Sequence, residues 1–380
     1  MIDFLNSKPL YYEKIDYERF PSIYNKVKHH FKLPKIIHII GTNGKGTTGR
    51  FLAVALKNQG FRVGHYTSPH ILKFNERIWL DGADISDDIL EKAHKKLQLI
   101  LEKKDSDALS YFEYTTLLAM VVFSECEYVV LEAGLGGEHD ATAVFAKTLT
   151  LVTPIDFDHQ AFLGDDIKAI ARTKLKAIQN HAILAKQKHS EVYGVADELD
   201  GLDIKKVDSF LDKKESKNIK NIAKTLNLPH YQEQNLTLAI SALKFLGLSY
   251  DKGSFDGARL FGRFSYVAKN IIVDVGHNPL AAKAIVDELK NLKVILVYNT
   301  YKDKNYKQIL SILAKNLLYV HVIDVEDGRI LPKESLYKAL DELGILYKPF
   351  DGVLDKESIY LVFGSFSVVQ KFLTSEYSIG

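Results

Sequence analysis

The sequence predicts an α/β protein with two domains: a larger N-terminal domain built on a P-loop-type, mostly parallel sheet, and a smaller, Rossmann-like α/β C-terminal domain. Three observations predict this fold class. Short apolar runs alternate with helical periodicity along most of the chain, as in parallel sheets covered by helices on both faces. A glycine-rich turn separates the first apolar run from the helix that follows it. After a stretch of small and polar residues, the alternation starts again.

The N-terminal domain is predicted from continuous apolar runs, the pattern of parallel strands that are buried on both faces. The predicted strands are Ile36–Ile40, Arg62–Tyr66, Tyr128–Leu131, Leu149–Thr153 and Ala182–Ala185. The predicted helices are Thr48–Asn58, Ser86–Lys104, Phe112–Cys126 and Gln232–Leu246. Residues 186–230 are rich in Lys, Asp, Glu and Ser, and there we expect exposed strands, loops and one short helix.

The domain boundary is predicted within Ser249–Gly262, where small and polar residues dominate, and we divide the chain into residues 1–255 and 256–380. The strands predicted beyond it are Asn270–Asp274, Val294–Val297, Val320–Ile323 and Ile359–Val362. The helices predicted between them are Pro279–Leu289, Asn305–Leu313 and Pro332–Leu340.

The composition indicates a globular protein, with 46% hydrophobic and 26% charged residues. A net charge of +2 gives no general electrostatic reason to expect nucleic-acid or membrane binding. The single cysteine, Cys126, excludes an intramolecular disulfide framework. The first residues lack the pattern of a signal peptide, and no apolar run approaches the roughly 18 residues of a membrane span. We therefore expect a cytoplasmic protein.

The glycine-rich turn has the sequence Gly-Thr-Asn-Gly-Lys-Gly-Thr at residues 41–47. Such a loop between a strand and a helix binds nucleotide phosphates, because glycines let backbone N–H groups approach the phosphate oxygens and the helix N-terminus adds partial positive charge. Lys45 would contact the β- and γ-phosphates, and Thr47 a magnesium ion. The alternative is a purely structural turn.

Two further segments follow predicted strands, where open parallel sheets place their ligands. The first is Thr67–His70, for which an ordinary Ser-Pro turn is the alternative. The second is Glu132–Gly137, in which an acidic residue ends a buried strand and glycines follow. A buried carboxylate is costly unless a cation neutralises it, so Glu132 is a candidate magnesium ligand, with helix or loop capping as the alternative.

Four other positions are candidates with weaker local signals. His159 follows the Leu149–Thr153 strand and has the chemistry of a metal ligand, although a lone histidine is usually structural. Lys174 lies in a predicted helix, where a solvated lysine is the ordinary interpretation. Arg263 lies at the domain junction and would neutralise charge on a transferred phosphoryl group, or form a salt bridge. Asp274 ends a strand just before Gly276-His277-Asn278-Pro279.

Taken together, these segments resemble the folylpolyglutamate synthase and dihydrofolate synthase family of the Mur ligase superfamily, in its bacterial bifunctional type. The resemblance extends from about Lys35 to Ser365, and its motifs occur in the family's order. The matching segments are residues 41–47, Thr67–His70, Phe112-Glu113, Glu132–Gly137, Asp140–Thr142, Asp158-His159, Arg263 and Asp274–Pro279. Each motif is weak alone, but the ordered set is specific.

The resemblance implies an ATP-dependent ligase of folate biosynthesis. It would join L-glutamate to dihydropteroate, forming dihydrofolate, and to reduced folates, forming folylpolyglutamates. In this chemistry, phosphorylation of the carboxylate by ATP creates an acyl phosphate that the glutamate amine attacks. Alternatives are that only one of the two activities is present, or that the substrate is another carboxylate, as in Mur-type ligases.

The resemblance also implies roles for individual residues. The implied ATP contacts are Thr42, Asn43, Gly44, Lys45, Gly46, Thr47, Asn235, Arg263 and Asp274. The implied ligands of two Mg²⁺ ions are Thr47, Ser68, Glu132 and His159. The implied catalytic residues are Lys45, Glu132, His159, Lys174 and Arg263. The implied substrate contacts are Phe112, His139, Asp140 and Ala141 for the pterin, and His277 and Ser365 for glutamate.

Lys174 matches a position that many relatives carry as a carbamylated lysine, and the resemblance also leaves room for a monovalent cation and a monomeric enzyme. The segment Glu138–Ala143 departs from the family's commoner Arg-Leu-Asp-Ala-Thr-Asn, which affects the pterin pocket. Gln160 and Gly276 are smaller departures.

Two rival classes remain open. A Mur-type peptidoglycan ligase is disfavoured, because the short segment before Lys35 lacks the large nucleotide-binding domain of that class. A nucleotide-dependent switch or assembly protein would use the phosphate loop without ligation. It would not require Glu132, His159 and Lys174 together.

Overall fold

The computed structural model describes residues 1–9, 16–157 and 163–379, which form two compact units. Unit 1 comprises Met1–Leu228 and Gln232–Arg259, and unit 2 comprises Pro229–Tyr231 and Leu260–Gly380. Each unit contains a mostly parallel sheet with helices. The predicted fold class is confirmed.

Unit 1 is built on a sheet that has eight strands among the described residues, in the order β4-β3-β2-β5-β1-β6-β7-β8. These are β1 (Lys35–Ile40), β2 (Val63–Tyr66), β3 (Ile78–Leu80), β4 (Ala83–Asp84), β5 (Tyr128–Glu132), β6 (Leu149–Val152), β7 (His181–Leu184) and β8 (Asp203–Lys206). The strands β2, β5, β1, β6, β7 and β8 are parallel, and β3 and β4 are antiparallel additions at one edge. The central strand β1 is apolar because it is covered on both faces: Ile36, Ile37, Ile39 and Ile40 are all fully buried.

The helices that cover this sheet begin and end as follows. They are α1 (Ile2–Asn6), α2 (Arg19–Val27), α3 (Lys45–Asn58), α4 (Asp87–Ile100), α5 (Lys103–Ala108), α6 (Tyr111–Val122), α7 (Ile167–Leu175), α8 (Ser190–Asp197), α9 (Val207–Phe210), α10 (Lys213–Thr225) and α11 (His230–Phe245), the last belonging to unit 1 from Gln232 onward. Helix α3 packs against the sheet through the fully buried side chains of Leu52, Ala53, Ala55 and Leu56.

The single helix predicted over Ser86–Lys104 is wrong, because α4 ends at Ile100 and α5 begins at Lys103. Leu101 has an extended backbone, with φ −90° and ψ 135°, and its side chain is buried. The turn there directs Asp105 inward, where its carboxylate accepts hydrogen bonds from Lys26 Nζ at 3.0 Å. Helical periodicity could not reveal this break, since a charge pair with a distant residue favours it.

The polar stretch at residues 186–230 contains more helix than predicted, namely α8, α9 and α10 with β8 between them. Helix α10 buries Ile219, Ile222 and Ala223, a spacing of three and four residues that its many lysines obscure. Its start carries a capping box in which Asp212 and Glu215 each accept from the other's backbone N–H, at 2.7 and 2.8 Å. That Asp-x-x-Glu pattern was the available signal.

Unit 2 is built on a second sheet, in which the described residues form six strands in the order β13-β12-β11-β15-β10-β9. Its strands, with a separate β14/β16 pair, are β9 (Ser265–Ala268), β10 (Ile271–Asp274), β11 (Val294–Tyr298), β12 (Leu317–Val322), β13 (Tyr347–Pro349), β14 (Val353–Leu354), β15 (Tyr360–Phe363) and β16 (Ser378–Ile379). Its helices are α12 (Pro279–Leu289), α13 (Tyr306–Leu313), α14 (Lys333–Glu342) and α15 (Phe366–Thr374). All strand pairs of the sheet are parallel except β9 with β10. The short strands β9, β13, β14 and β16 and the helix α15 were not predicted.

Across the described ranges, none of the helices combines the length and the hydropathy needed to cross a lipid bilayer.

Candidate active site

The loop between β1 and α3 depends on glycine at two positions. Gly41 and Gly44 have positive φ angles of 133° and 88°, which side chains rarely adopt. A Cβ at Gly41 would lie 2.7 Å from the carbonyl oxygen of Thr153, and one at Gly44 would collide with the Asn235 side-chain amide. Helix α3 begins at Lys45, three residues before its predicted start at Thr48. The free N–H groups of its first turn therefore lie directly beside the loop.

The loop is fixed to the segment that follows β6. The backbone N–H of Thr42 donates to the carbonyl of Pro154 at 3.0 Å, and that of Asn43 to the same carbonyl at 3.4 Å. The Thr42 hydroxyl donates to the carbonyl of Asp156 and accepts from its N–H, both at 3.0 Å. The Thr42 side chain thus holds the loop in place. A nucleotide that contacted the Thr42 hydroxyl would share it with the backbone of Asp156.

Two lysines converge on the carbonyl of Gly41. Lys45 Nζ donates to this oxygen at 3.3 Å and to the carbonyl of Thr42 at 3.4 Å. Lys174 Nζ, from α7, donates to the same Gly41 oxygen at 3.1 Å, and Lys174 is only 4% exposed. A buried lysine whose ammonium donates to the glycine loop is not the solvated helix lysine of the ordinary interpretation. The arrangement concentrates positive charge beside the glycine loop.

Glu132 supplies negative charge to the same place. It is the last residue of β5 and 4% exposed, with Oε1 3.9 Å from Lys45 Nζ. Since β2 and β5 are parallel with Tyr66 opposite Leu131, Thr67 and Ser68 follow β2 at the same sheet edge. The Thr67 hydroxyl donates to Glu132 Oε2, and the Ser68 N–H lies 3.4 Å from that oxygen. The buried carboxylate is therefore stabilised by a cation and by donors of the neighbouring loop.

The candidate metal ligands are partly brought together by this edge. Ser68 and Glu132 are adjacent, and Thr47 lies in the first turn of α3 with its residue buried. His159 lies outside the described residues. Within the described ranges, no group of three His, Cys, Asp or Glu side chains is arranged to hold a metal ion. One carboxylate with hydroxyls is nevertheless a set that suits Mg²⁺, which binds few protein ligands together with phosphates and water.

Asn235 lies in α11 and is 6% exposed. Its Oδ1 accepts a hydrogen bond from the Thr48 hydroxyl at 3.4 Å and occupies the space above Gly44 where a Cβ would project. Asn235 therefore packs directly on the glycine loop.

Two of the glycines after Glu132 are needed for packing in the structure. A Cβ at Gly134 would lie 2.6 Å from the Phe112 ring, and one at Gly137 would lie 2.7 Å from the Cα of Lys174. The loop is thus pressed between α6 and α7. Gly137 in particular allows the backbone of Lys174 to come close.

Asp140 organises this loop through its own backbone. One carboxylate oxygen accepts from the Leu135 N–H at 2.8 Å, and the other from the Thr142 N–H and hydroxyl at 2.9 and 2.5 Å. Burial raises the pKa of Asp140, and these hydrogen bonds oppose the shift. The neighbouring Ala141 is also buried. Asp140 therefore acts here as a positioning residue.

His139 is the exposed member of this segment, with 45% of its side chain accessible. Its ring lies 4.1 Å from the ring of Tyr17, which is 50% exposed. Nothing near Tyr17 in the sequence indicated this pairing with His139.

Asp156 holds a charge cluster next to the glycine loop, to which its backbone is hydrogen-bonded through Thr42. Its carboxylate accepts from His189 Nε2 at 2.8 Å and from Lys188 Nζ at 3.1 Å. Burial opposes ionisation, yet the hydrogen bonds from His189, the Phe157 N–H and Lys188 together lower the pKa of Asp156. The sequence did not reveal the pairing of Lys188 and His189 with Asp156, because that pairing depends on β6 and β7 being neighbours in the sheet.

In unit 2, Asp274 is the last residue of β10 and is 4% exposed. It accepts from the N–H groups of Gly276 and Phe264 at 2.7 and 2.8 Å, and from the Tyr231 hydroxyl at 3.3 Å. Burial raises the pKa of Asp274, and the positive charge of Arg263 is the largest opposing influence. Asp274 thus shapes the turn that carries Arg263.

The other candidates of unit 2 flank this turn. The Arg263 guanidinium carbon lies 5.6 Å from the centre of the Phe366 ring. His277 Nδ1 lies 3.1 Å from the carbonyl oxygen of Val275. Ser365 is fully buried, and its hydroxyl accepts from the Val368 N–H at 3.1 Å as the N-cap of α15. In this structure Ser365 therefore presents no hydroxyl to solvent.

No protein-family model matches the chain, but similar proteins are known. The dihydrofolate synthase/folylpolyglutamate synthase of Buchnera aphidicola is 32% identical over 365 residues, which cover 88% of this chain and 86% of that protein. The crystal structure of Helicobacter pylori folylpolyglutamate synthetase has a TM-score of 0.80 and 37% identity, covering 98% of this chain and 96% of that one.

A third relative is the bifunctional folylpolyglutamate synthase/dihydrofolate synthase of Yersinia pestis, solved with AMPPNP and a Mn ion. It has a TM-score of 0.82 and 26% identity, covering 98% of this chain and 96% of that one. The likeness extends over nearly the whole chain in both sequence and fold. This chain belongs to the dihydrofolate synthase/folylpolyglutamate synthase family.

Proposed function

We propose that this protein is an ATP-dependent ligase that joins L-glutamate to dihydropteroate, forming dihydrofolate, and to reduced folates, forming folylpolyglutamates. The observation that carries this proposal is the set of charged groups at one sheet edge in a member of this family. Lys45, Lys174 and Glu132 lie around the glycine loop, with the Thr67-Ser68 loop beside them.

The residues of the loop fit a nucleotide triphosphate. Positive φ at Gly44 turns the backbone into the first turn of α3, whose N–H groups and partial positive charge favour phosphate oxygens. We assign ATP contacts to Thr42, Asn43, Gly44, Lys45, Gly46, Thr47 and Asn235 in unit 1, and to Arg263 and Asp274 in unit 2. Lys45 is the principal cation, because its ammonium is held over the loop by two carbonyl groups.

The residues also fit divalent metal, for which Thr47, Ser68 and Glu132, with His159, are the proposed ligands. Bound Mg²⁺ would neutralise charge on the phosphates. The protein's own part is to hold the Glu132 carboxyl group, fixed by the Thr67 hydroxyl, where it would contribute an oxygen ligand. We further propose two Mg²⁺ ions, and a monovalent cation and a monomeric enzyme by analogy with the family.

The reaction needs two displacements. The substrate carboxylate oxygen attacks the γ-phosphorus of ATP, a P–O bond forms, and ADP leaves with the electrons of the broken bond. The glutamate amine then attacks the acyl carbon, a C–N bond forms, and phosphate leaves while the amine loses a proton. Both steps move negative charge, so the role of Lys45 and Arg263 is positioning and charge stabilisation.

Lys174 is proposed to be carbamylated. Its ammonium and that of Lys45 share the Gly41 carbonyl, so two positive charges lie close together in a buried place. Addition of carbon dioxide would convert the Lys174 amine into an anion, which Lys45 and a metal ion attract. NMR of the protein with carbon-13 bicarbonate should give a carbamate signal that is lost in Lys174→Ala and kept in Lys176→Ala, which removes an exposed lysine of the following turn. A signal that is equal in both variants, or absent from the metal-loaded protein, would refute it.

The substrate contacts and domain roles are also proposals. We assign the pterin to the region of Phe112, His139, Asp140 and Ala141, where the Tyr17–His139 pair offers exposed aromatic surface. We assign glutamate to the region of His277 and Ser365. Residues 1–255 would then hold ATP and the pterin, and residues 256–380 would serve glutamate ligation.

The deciding experiment uses purified protein with ATP, Mg²⁺ and L-glutamate. Dihydropteroate is added to one reaction and a reduced folate to another, and products are measured by mass spectrometry. A gain of one glutamate in both is expected; a gain in one alone would reduce the function to that single activity. Lys45→Met should abolish both, and Lys96→Met, an exposed lysine of α4, should change neither. No gain in either reaction, with folded protein that binds ATP, would refute the folate assignment and favour a Mur-type ligase or a nucleotide-dependent switch.

A further inference from the structure

A cavity in unit 1 lies along α3 from Arg50 to Asn58, beyond the first turn of this helix that follows the glycine loop. It has a volume of about 480 Å³, within the range of ligand pockets. Residues of three segments line it: α3 from Arg50 to Asn58, the β3–β4 hairpin with Trp79, and the loop at residues 256–259.

Arg50 lines this cavity and is only 8% exposed. Its guanidinium carbon lies 4.9 Å from the centre of the Trp79 ring. Its Nε is buried and has no hydrogen-bond partner in the described part of the chain. A buried guanidinium N–H without a hydrogen-bond partner is costly, and an anion bound at this guanidinium would offset part of the cost of burying its charge.

The strand beneath Arg50 does not satisfy it. His65 of β2 is fully buried under Gly49, and neither of its ring nitrogens has a hydrogen-bond partner in the described ranges. Burial, with the nearby charge of Arg50 second, lowers the pKa of His65 well below its usual value, so this ring is neutral. Burial also lowers the pKa of Arg50 to about 10, and Asp84 opposes that shift.

The rest of the cavity carries charges of both signs. Lys57 and Arg259 are exposed cations of its wall, and Asp84 and Asp256 are exposed acids. The buried charge is thus positive, and cations outnumber acids by three to two among these five residues. The wall is also fixed, because Asn58 Nδ2 donates to the carbonyls of Ser254 and Asp256 at 3.2 and 3.3 Å.

We propose that this cavity is a second anion site, which binds a small oxyanion, carboxylate or phosphate, through the guanidinium of Arg50, with Lys57 and Arg259 as further cations. The planar guanidinium matches both kinds of oxyanion with two parallel hydrogen bonds. Asp84 and Asp256 would accept hydrogen bonds from donor groups of a larger ligand. The site is separate from ATP binding, and it stands whether or not the proposed ligase activity is found.

The chain offers a direct reporter, because Trp79 is its only tryptophan and lies in the cavity wall. Trp79 fluorescence, excited at wavelengths that tyrosine does not absorb, is titrated with inorganic phosphate, acetate or chloride at equal ionic strength. Calorimetry detects any binding that leaves the fluorescence unchanged. The same titrations on Lys45→Ala remove binding at the glycine loop.

We expect saturable binding of phosphate or acetate that persists in Lys45→Ala, and comparison of the two titrants identifies the preferred oxyanion. Arg50→Lys keeps the positive charge but loses the planar guanidinium that makes two parallel hydrogen bonds, and it should weaken binding about tenfold or more. Arg259→Ser should weaken binding about threefold to tenfold. Lys96→Gln, the exposed control, should have no effect. The proposal is overturned by no saturable binding in either method, by an equal response to chloride, by loss of binding in Lys45→Ala, or by unchanged affinity in both arginine variants.

Discussion

Gly44→Ala tests how the glycine loop is built. Gly44 precedes α3 with φ of 88°, and a Cβ there would collide with the Asn235 amide, whose Cγ would lie 3.0 Å away. The substitution therefore combines a strained backbone with a steric clash. Gly60→Ala is a matched control, because Gly60 has φ of 93° and nothing within 4 Å of the added carbon.

The two contributions can be estimated separately. Alanine in the left-handed region costs about 1–2 kcal/mol. Forcing an extra methyl group into a packed site adds about 1–3 kcal/mol. We therefore expect Gly60→Ala to lower the free energy of unfolding of unit 1 by about 1–2 kcal/mol, and Gly44→Ala by about 2–5 kcal/mol.

The assay is urea denaturation followed by the fluorescence of Trp79, the only tryptophan, which lies in unit 1. The double variant Gly44→Ala/Asn235→Ala removes the clash but not the strain, so its two substitutions should be non-additive by at least about 1 kcal/mol. Equal losses for Gly44→Ala and Gly60→Ala, or strict additivity in the double variant, would refute the steric argument.

Three further predictions concern charged groups of unit 1. Glu132→Gln keeps the shape of a proposed metal ligand without its charge, so kcat should fall by about a hundredfold or more and more Mg²⁺ should be required; normal kcat at ordinary Mg²⁺ would contradict this role. Asp140→Ala leaves the Leu135 and Thr142 N–H groups without their acceptor and should lower the free energy of unfolding, measured by urea denaturation, by about 1–3 kcal/mol; a loss below about 0.5 kcal/mol, the size expected of a surface substitution, would contradict it. Burial lowers the pKa of Lys147 from 10.5 to about 8 in the folded state. As the pH rises, the folded state therefore loses this proton before the unfolded state does, so the free energy of unfolding should rise from about pH 8 towards 10.5, and more steeply than in Lys147→Met. Parallel pH profiles of the two proteins would contradict this prediction.

The sequence by itself determined the architecture and the glycine loop between β1 and α3. Continuous apolar runs such as Ile36–Ile40 are buried on both faces in a parallel sheet. A glycine-rich turn between a strand and a helix is typical of phosphate-binding loops. These properties depend on neighbours in the chain, so they can be deduced locally. Helix α10 was not assigned, because its lysines obscure the spacing of its buried residues, although the Asp-x-x-Glu pattern at its start was a local signal. The break between α4 and α5 was not predicted, because the Asp105–Lys26 pair joins residues that are distant in the chain.

Only the tertiary structure decided which side chains meet. The sequence marked Lys45, Glu132 and Lys174 separately, but the parallel register of β1, β2 and β5 and the packing of α7 bring them to one carbonyl and one sheet edge. In the tertiary structure, the Asp140 carboxylate and the Ser365 hydroxyl accept hydrogen bonds from backbone N–H groups of the protein itself. Arg50 is buried, and its Nε has no hydrogen-bond partner in the described ranges. Burial and pairing arise from segments far apart in the chain, and no local pattern encodes them.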